Sequence, residues 1–460
     1  MMKNPLLVPE LRELVAEGQF DTLREFCETS HPAVVAEMLS ALEPAETWEV
    51  LRHASHPVQA EVFSHLEEDV QEEVLDQLRR EELARLFADM PPDDRADLFK
   101  RLPEERQEAI LPALAMAERE DIRRLASYEE RTAGAVMTSE YATLAPDQTV
   151  AQAIERLRRE APDKETIYYS YVLDNRRRLL GHVSLKDLIL ARPHALVRDV
   201  MRPDVISVRA TDDQEEAAGR IRKYDLIALP VVDEQDALVG IITHDDALDV
   251  IIQEQTEDIE KFMAIGGSHE GLGYLKTSAW GHFRRRSVWV LALAVLGLVS
   301  GFIVQSFEGV LQQLVILAAF MPMLVGAGGN TGSQSASLVV RALALREMKP
   351  GDIFRVLGKE LQVALMLGAL LGLVTLGRVA LYGGAAKLPA GVSLGLVGVA
   401  IAVALALQVV TATLIGAVLP LAAARLKLDP AVVASPALTT VVDITGLIIY
   451  FVSVKLIIGL

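Results

Sequence analysis

The spacing of apolar residues changes along this chain of 460 residues, and each change predicts a different architecture. Between residues 38 and 114 a doublet followed by a single apolar residue recurs every twelve positions: Met38, Leu39, Leu42; Val50, Leu51, Ala54; Val62, Phe63, Leu66; Val74, Leu75, Leu78; Leu86, Phe87, Met90; Leu98, Phe99, Leu102; and Ile110, Leu111, Leu114. Within a copy the i, i+1, i+4 spacing is helical, and Pro44, Pro57, Pro92 and Pro103 punctuate the intervals. Short helices stacked as a right-angled superhelical solenoid are therefore expected over residues 1–130. Such a stack buries its core only against its neighbours. An irregular helical domain is the alternative.

From about Met137 the pattern alternates between strand and helix, and one unit occurs twice, at 131–199 and 200–255. Val136-Met137 and Val200-Met201 open the copies, and the strand at 171–174 answers the strand at 230–233. The segment 179–187 answers 238–246, each a strand running into a helix with Ser or Thr near the cap and Asp one turn later. This arrangement resembles a tandem pair of cystathionine-β-synthase (CBS) regulatory domains. The resemblance implies that Ser184, Lys186 and Asp187, with Thr243 and Asp246, frame an adenosine nucleotide such as ATP. The physical case is that a hydroxyl at a helix start joins the backbone N–H groups in holding phosphate, while the Asp accepts from a ribose. Helix capping alone is the plainer reading.

The last part of the chain, 285–460, is apolar enough for five membrane spans. Residues 287–307, 309–340 and 361–377 are uncharged runs of 21, 32 and 17 residues. The run 388–424 has 37 residues, too many for one upright helix, so its start is expected to be loop or re-entrant. Residues 431–454 complete the set and carry one acid, Asp443. Arg284, Arg285 and Arg286 precede the first span, bases from Arg341 to Lys359 follow the second, and Arg425 and Lys427 follow the fourth, which places those loops in the cytoplasm. Arg378 and Lys387 are a weak contrary signal. The N-terminal half is then cytosolic, the C-terminus outside, and residues 256–284 form a connecting helix and linker in an inner, multi-pass membrane protein.

Charge sharpens this division. Residues 287–460 hold ten Lys/Arg and six Asp/Glu, which leaves 35 bases and 57 acids before them, a net −22. Such a half repels nucleic acid and attracts cations. The single cysteine, Cys27, excludes an internal disulfide framework and a thiolate metal cluster. His53 and His56 lack the partners a zinc site needs. Met1 to Phe20 has no uninterrupted apolar core, so a secretory signal is not expected.

An ionised carboxylate at membrane depth needs a partner or a wet cavity, and no Lys or Arg lies within two turns of Asp443 on its helix. The Gly-rich stretch 326–337, containing Gly328, Gly329, Asn330 and Thr331, brings backbones close and offers carbonyl, amide and hydroxyl oxygens; plain helix packing is the alternative. Hard oxygen ligands suit Mg²⁺, held by few carboxylates through its water shell. An intramembrane aspartyl protease needs a second deep acid, and five spans do not divide into equal inverted repeats, so neither an enzyme nor a repeat-built secondary transporter is expected.

The stretch Gly326-Ala327-Gly328-Gly329-Asn330-Thr331-Gly332-Ser333-Gln334-Ser335-Ala336-Ser337, with Ser435-Pro436 and Val442-Asp443-Ile444-Thr445-Gly446, resembles the MgtE family of magnesium channels. The likeness extends over the order of helical domain, CBS pair, connecting helix and five spans. It implies a homodimer that conducts Mg²⁺ and is closed by intracellular Mg²⁺. The implied sensor ligands are Glu61, Asp93, Asp94 and Asp97 facing Asp213, Glu215, Asp225 and Asp246, with the Gly134 carbonyl. A further group, Asp249, Glu254, Glu257 and Asp258, is expected near Asp429. For any single acid, a solvated surface charge is the simpler reading. The alternatives in function are a nucleotide-sensing membrane scaffold and a transporter of Co²⁺ or Mn²⁺.

Overall fold

Seven helices begin at residues 32, 44, 56, 68, 80, 92 and 104, the twelve-residue interval of the apolar pattern: α3 (Pro32–Leu39), α4 (Pro44–Leu51), α5 (His56–Ser64), α6 (Glu68–Leu75), α7 (Arg80–Asp89), α8 (Pro92–Arg101) and α9 (Glu104–Ile110). Before them come α1 (Val8–Glu17) and α2 (Phe20–Thr29), and after them α10 (Met116–Ala126). Proline is the first residue of α3, α4 and α8, where its missing N–H is one the first turn leaves unbonded anyway. Every residue of the repeat except Met38 and Leu111 lies in one buried core, and Leu111 packs against it.

The structural unit is a pair of helices. Odd-numbered helices α3, α5, α7 and α9 stack on one another, as do α2, α4 and α6. Buried Thr47, Gln71 and Arg95, at 24-residue spacing, donate to the carbonyls of Leu39, Phe63 and Phe87 at 2.9, 2.9 and 3.4 Å. Each even helix thereby satisfies a carbonyl left open where the preceding odd helix ends. Three different side-chain types do this work, so a search for identical letters misses the 24-residue period.

These coordinates belong to a computed structural model that describes residues 7–266, 274, 277–345, 347–382, 388–389, 391–431 and 436–459. Ser435, Arg346 and Lys387 lie outside the described residues. The chain divides into two units, Met1–Glu254 and Gln255–Leu460.

In the first unit the two copies of the strand–helix repeat each build a three-stranded sheet. Strands β1 (Tyr141–Leu144), β2 (Thr166–Leu173) and β3 (Leu179–Ser184) form one, with helices α11 (Val150–Glu160), α12 (Leu185–Leu190) and α13 (Val197–Val200). Strands β4 (Val208–Arg209), β5 (Ala228–Val232) and β6 (Leu238–Thr243) form the other, with α14 (Gln214–Tyr224) and α15 (His244–Phe262). In both, the first pair is parallel and the second antiparallel. The lead-ins are exchanged. Thr138 pairs with Ile241 of the second copy, and Arg202 with His182 of the first. Ala133 and Met137 accordingly sit in the second copy's core, so a boundary drawn at 131 or 200 follows the sequence repeat and not the packing. Gly240 and Gly181 admit these crossings, because a Cβ there would strike Met137 and the Arg202 carbonyl.

The second unit holds the five long apolar helices: α16 (Ala279–Ser306), α18 (Met321–Ala344), α19 (Ile353–Tyr382), α20 (Leu394–Arg425) and α21 (Pro436–Ile458). The uncharged run 309–340 is not one helix; it breaks into α17 (Glu308–Gln313), a 3₁₀ turn at Val315–Ala319 and then α18. Tyr450 Oη donates to the Leu317 carbonyl at 2.9 Å and Arg378 to the Ala319 carbonyl at 3.1 Å, which meets the demand for bonded backbone at that depth. Arg378, one of the two contrary charges, thus has a backbone partner. The start of 388–424 is loop, one of the two forms expected: 388–389 and 391–393 are non-helical, and α20 then runs unbroken from Leu394, capped by Ser393, for 32 residues. At 1.5 Å per residue it is about 48 Å long and outreaches the hydrocarbon layer.

Candidate functional site

Inside the bundle, α18, α20 and α21 meet through small residues. A Cβ on Gly332 would approach the Ala412 carbonyl, and one on Gly416 would strike Gly332, so the backbones of α18 and α20 touch. Gly328 and Thr331 are buried, Gly329 is half-buried and Asn330 is exposed. The Thr331 hydroxyl donates within its own helix, to Ala327 at 2.9 Å and Gly328 at 3.2 Å, and keeps its acceptor lone pairs. Packing therefore accounts for the glycines, while on the same stretch Asn330 is exposed and Thr331 keeps acceptor capacity. On α21, Asp443 is half-buried, and its Oδ1 has no hydrogen-bond partner among the described residues. Glu360 of α19 accepts from buried Ser335 of α18 at 2.8 Å, a second acid engaged with the Gly-rich helix.

Gln408 of α20 went unnoticed in the sequence. Its side chain is fully buried and donates from Nε2 to the Val442 carbonyl at 2.8 Å. The available signal was a polar residue alone in the otherwise apolar 401–410.

In the first unit a second set of acids gathers around Asp93 and Asp246. Asp93, near the start of α8, is held well above the ordinary carboxylate range, first by burial and then by Asp246, Asp94 and Glu165; its Oδ1 lacks a partner among the described residues. Burial, opposed by the Thr243 hydrogen bond and aided by Asp245, pushes Asp246 up to about 6. Burial and the charges of Asp245 and Asp246 push Glu165 up to about 7. Burial raises Asp94, and burial pushes Asp97 up to about 6, although Asp97 exposes 56 % of its side chain and has Lys100 at 3.8 Å. Glu165 and Asp245 were missing from the expected set; Glu165 joins because it immediately precedes β2, beside the helix start that carries Asp245 and Asp246. Among the described residues no three His, Cys, Asp or Glu side chains converge closely enough to hold a bare metal ion.

The remaining acids separate. Glu61 is exposed on α5. Asp213 caps α14 by accepting from the Glu215 amide at 2.7 Å, Glu215 follows in its first turn, and Asp225 closes the same helix in a left-handed conformation. Gly134 is buried, its N–H bonded to the Ala210 carbonyl at 2.9 Å. Asp249 is exposed and raised by burial of its carboxyl and by Asp245. Glu254 is compensated by Arg131 at 3.1 Å and accepts from Gln214 at 2.7 Å. Asp258 is exposed. Glu257 and Asp429 do come together, through Lys261, whose Nζ lies 3.0 Å from each. Burial lowers the Lys261 pKa, but the hydrogen bonds to Asp429 and Glu257 outweigh it and raise it. The half that looked uncompensated therefore carries built-in cations at two of these points. Just beyond, Phe262 packs against the cluster of Ala336, Ala412, Leu438 and Val442.

At the two repeat motifs the hydroxyl and the carboxylate bond each other. Ser184 Oγ donates to Asp187 at 2.7 Å and accepts from the Asp187 amide at 3.0 Å; Thr243 donates to Asp246 in the same way. The Ser184 bond, with Arg202 at 3.7 Å, holds Asp187 below its ordinary range. The hydroxyl cap is thus realised at Ser184, while at the second copy the Asp246 carboxylate accepts from both the Thr243 hydroxyl and the Thr243 backbone N–H. Lys186 is exposed beside the first, and Tyr169 stands opposite Ser184 across β2–β3, its ring edge on His182.

Five spanning helices, one carrying a carboxylate oxygen with no hydrogen-bond partner among the described residues, preceded by a helical solenoid and a CBS pair lined with acids, define a multi-pass cation transporter with regulatory domains. Comparison with known proteins agrees. The family described as divalent cation transporter, MgtE, matches residues 321–453, the MgtE intracellular N domain matches 30–131, and the CBS domain matches 133–194 and 197–253. The magnesium transporter MgtE of Thermus thermophilus is 44 % identical over 332 residues, 72 % of this chain and 71 % of that one. Its counterpart in Bacillus subtilis is 38 % identical over 342 residues, 74 % and 73 %. The solved soluble part of a magnesium transporter covers 54 % of this chain and 97 % of its own at 35 % identity and a TM-score of 0.51. The cytosolic domain of the Mg²⁺ channel MgtE in complex with ATP covers 52 % and 98 % at 40 % identity and a TM-score of 0.50. The chain belongs to the MgtE family.

Proposed function

We propose that this chain carries Mg²⁺ across the cell membrane, into the cytosol, along a path lined by Asp443, Asn330, Thr331 and the backbone of Gly328 and Gly329. The observation that carries the reading is the Asp443 Oδ1, inside the helix bundle and without a partner among the described residues, since a buried carboxylate oxygen is tolerated there only beside a cation or water. One such acid per chain supports a homodimer, in which two Asp443 carboxylates serve one two-fold axis. The first span has no fully buried residue, so its apolar face meets lipid or the second copy. Loop bases support a cytosolic N-terminal half and a C-terminus outside.

Gating follows from the acids. Asp93, Asp94, Asp246 and Glu165 oppose their own proximity, and Mg²⁺ held through its water shell removes that opposition, which fits a site too open for a bare ion. Rising internal Mg²⁺ then favours the compact state, with Phe262 of the connecting helix seated on the bundle. The ATP-bound relative supports an adenosine nucleotide at Ser184, Lys186, Asp187 and Thr243. Purified chain in proteoliposomes should take up Mg²⁺, with Co²⁺, Mn²⁺ and Ca²⁺ tested beside it. Absence of any divalent flux overturns transport in favour of a nucleotide-sensing scaffold.

A further inference from the structure

Three of the spanning helices meet at one side-chain amide. Gln408 of α20 is 0 % exposed and donates from Nε2 to the carbonyl of Val442, the residue before Asp443 on α21. A Cβ added to Gly328 of α18 or to Gly446 of α21 would collide with that same amide. The amide therefore fills the space two missing side chains leave. It touches the two segments nominated for the ion path, two residues from Asn330 on one side and three from Asp443 on the other.

Stability does not explain a glutamine here. Its Oε1 has no partner among the described residues, and a buried polar atom left unbonded opposes folding. A leucine would fill similar space without that burden. The Nε2 bond is also the one contact by which this side chain fixes the height and rotation of α21. A groove lined only by Gly, Ala and Val lets helices slide, whereas a directional hydrogen bond allows one register.

We propose that Gln408 is a positioning residue for ion selection: its bond locks α21 against α20, with Gly328 of α18 packed on the same amide, so that Asp443 and the 328–331 stretch face a common path at fixed spacing. This rests on the Mg²⁺ transport reading. Mg²⁺ demands near-ideal octahedral geometry, and larger divalent ions tolerate looser sites, so losing the lock should relax discrimination as well as lower flux.

The test uses the full chain in proteoliposomes, with initial uptake of Mg²⁺ and of Ca²⁺ measured on the same vesicles. Gln408→Leu should assemble like the parent, lose Mg²⁺ uptake by about tenfold and lower the Mg²⁺ to Ca²⁺ ratio. Parent-like uptake and ratio overturn the proposal. If Gln408→Leu does not assemble, a paired set decides. Gly446→Ala crowds the amide and should impair assembly; Gln408→Ala in that background removes the crowding and should restore assembly without restoring the ion ratio. A restored ratio overturns the proposal, and failure of the double variant to assemble assigns the amide to folding alone and overturns it too. Parent protein that takes up no divalent ion refutes the transport reading instead, and is distinguished by its own control.

Discussion

Replacing Asp246 by Asn should stabilise the metal-free protein while weakening its response to Mg²⁺. Asn keeps the oxygen that accepts from Thr243, so the start of α15 stays capped, and only the charge is lost. Moving this carboxyl from 3.8 to about 6 corresponds to at most about 3 kcal/mol of destabilisation at neutral pH, at about 1.4 kcal/mol per pH unit. A carboxyl raised in the folded state binds its proton more readily there than in the unfolded chain. Stability is therefore fully present below about pH 4 and is lost as pH rises through about 6, with Glu165 extending the loss to about 7. For a unit of this size the change is up to about 6–12 °C in melting temperature. Scanning calorimetry in EDTA between pH 5 and 8 measures it. The parent should melt lower as pH rises, the variant should show a flatter slope and a higher midpoint at pH 7.5, and added Mg²⁺ should raise the parent more than the variant. Identical midpoints and slopes in EDTA would refute the argument that these acids oppose one another, and an undiminished Mg²⁺ shift would remove Asp246 from the sensor.

Asp443→Ala should abolish divalent uptake while the protein still assembles; Asp443→Asn, which keeps the shape without the charge, should retain less than a tenth of the uptake, and normal flux through either points to backbone ligands alone. Asp187→Ala should lose ATP binding in calorimetry more cleanly than Asp246→Asn, and unchanged heat would reduce the first repeat motif to its observed capping role. Lys261→Gln should make internal Mg²⁺ inhibit transport at about threefold lower concentration, since the tethered ammonium no longer competes for Glu257 and Asp429 and a half-exposed pair of this kind is worth about 0.5–1 kcal/mol. A shift to higher Mg²⁺ would instead make the lysine a latch. Protease protection of residues 1–260 should appear at roughly millimolar Mg²⁺ and not at matched Na⁺ ionic strength, because screening does not bridge.

Periodic burial was legible in the sequence because it repeats at fixed spacing. The twelve-residue doublets became the solenoid core, the duplicated strand–helix unit became two like sheets, and the long uncharged runs became five spanning helices. Asp443 was legible for the same reason, as a charge out of place in an apolar run. What depends on residues far apart in the chain was not. The exchange of Met137 and Met201 between CBS cores needs Gly240 and Gly181 opposite them, and neither partner announces the other. Lys261 between Glu257 and Asp429 turns a presumed acid cluster into a compensated one, and Glu165 joins the Asp93 group from the turn before β2, more than seventy residues along the chain. Gln408 is one polar letter among apolar ones until three helices close around it. The sequence determines which faces are hidden, since hydrophobic burial follows local pattern; only the tertiary structure decides which hidden polar groups meet, since hydrogen bonds and charges act between particular atoms at particular distances.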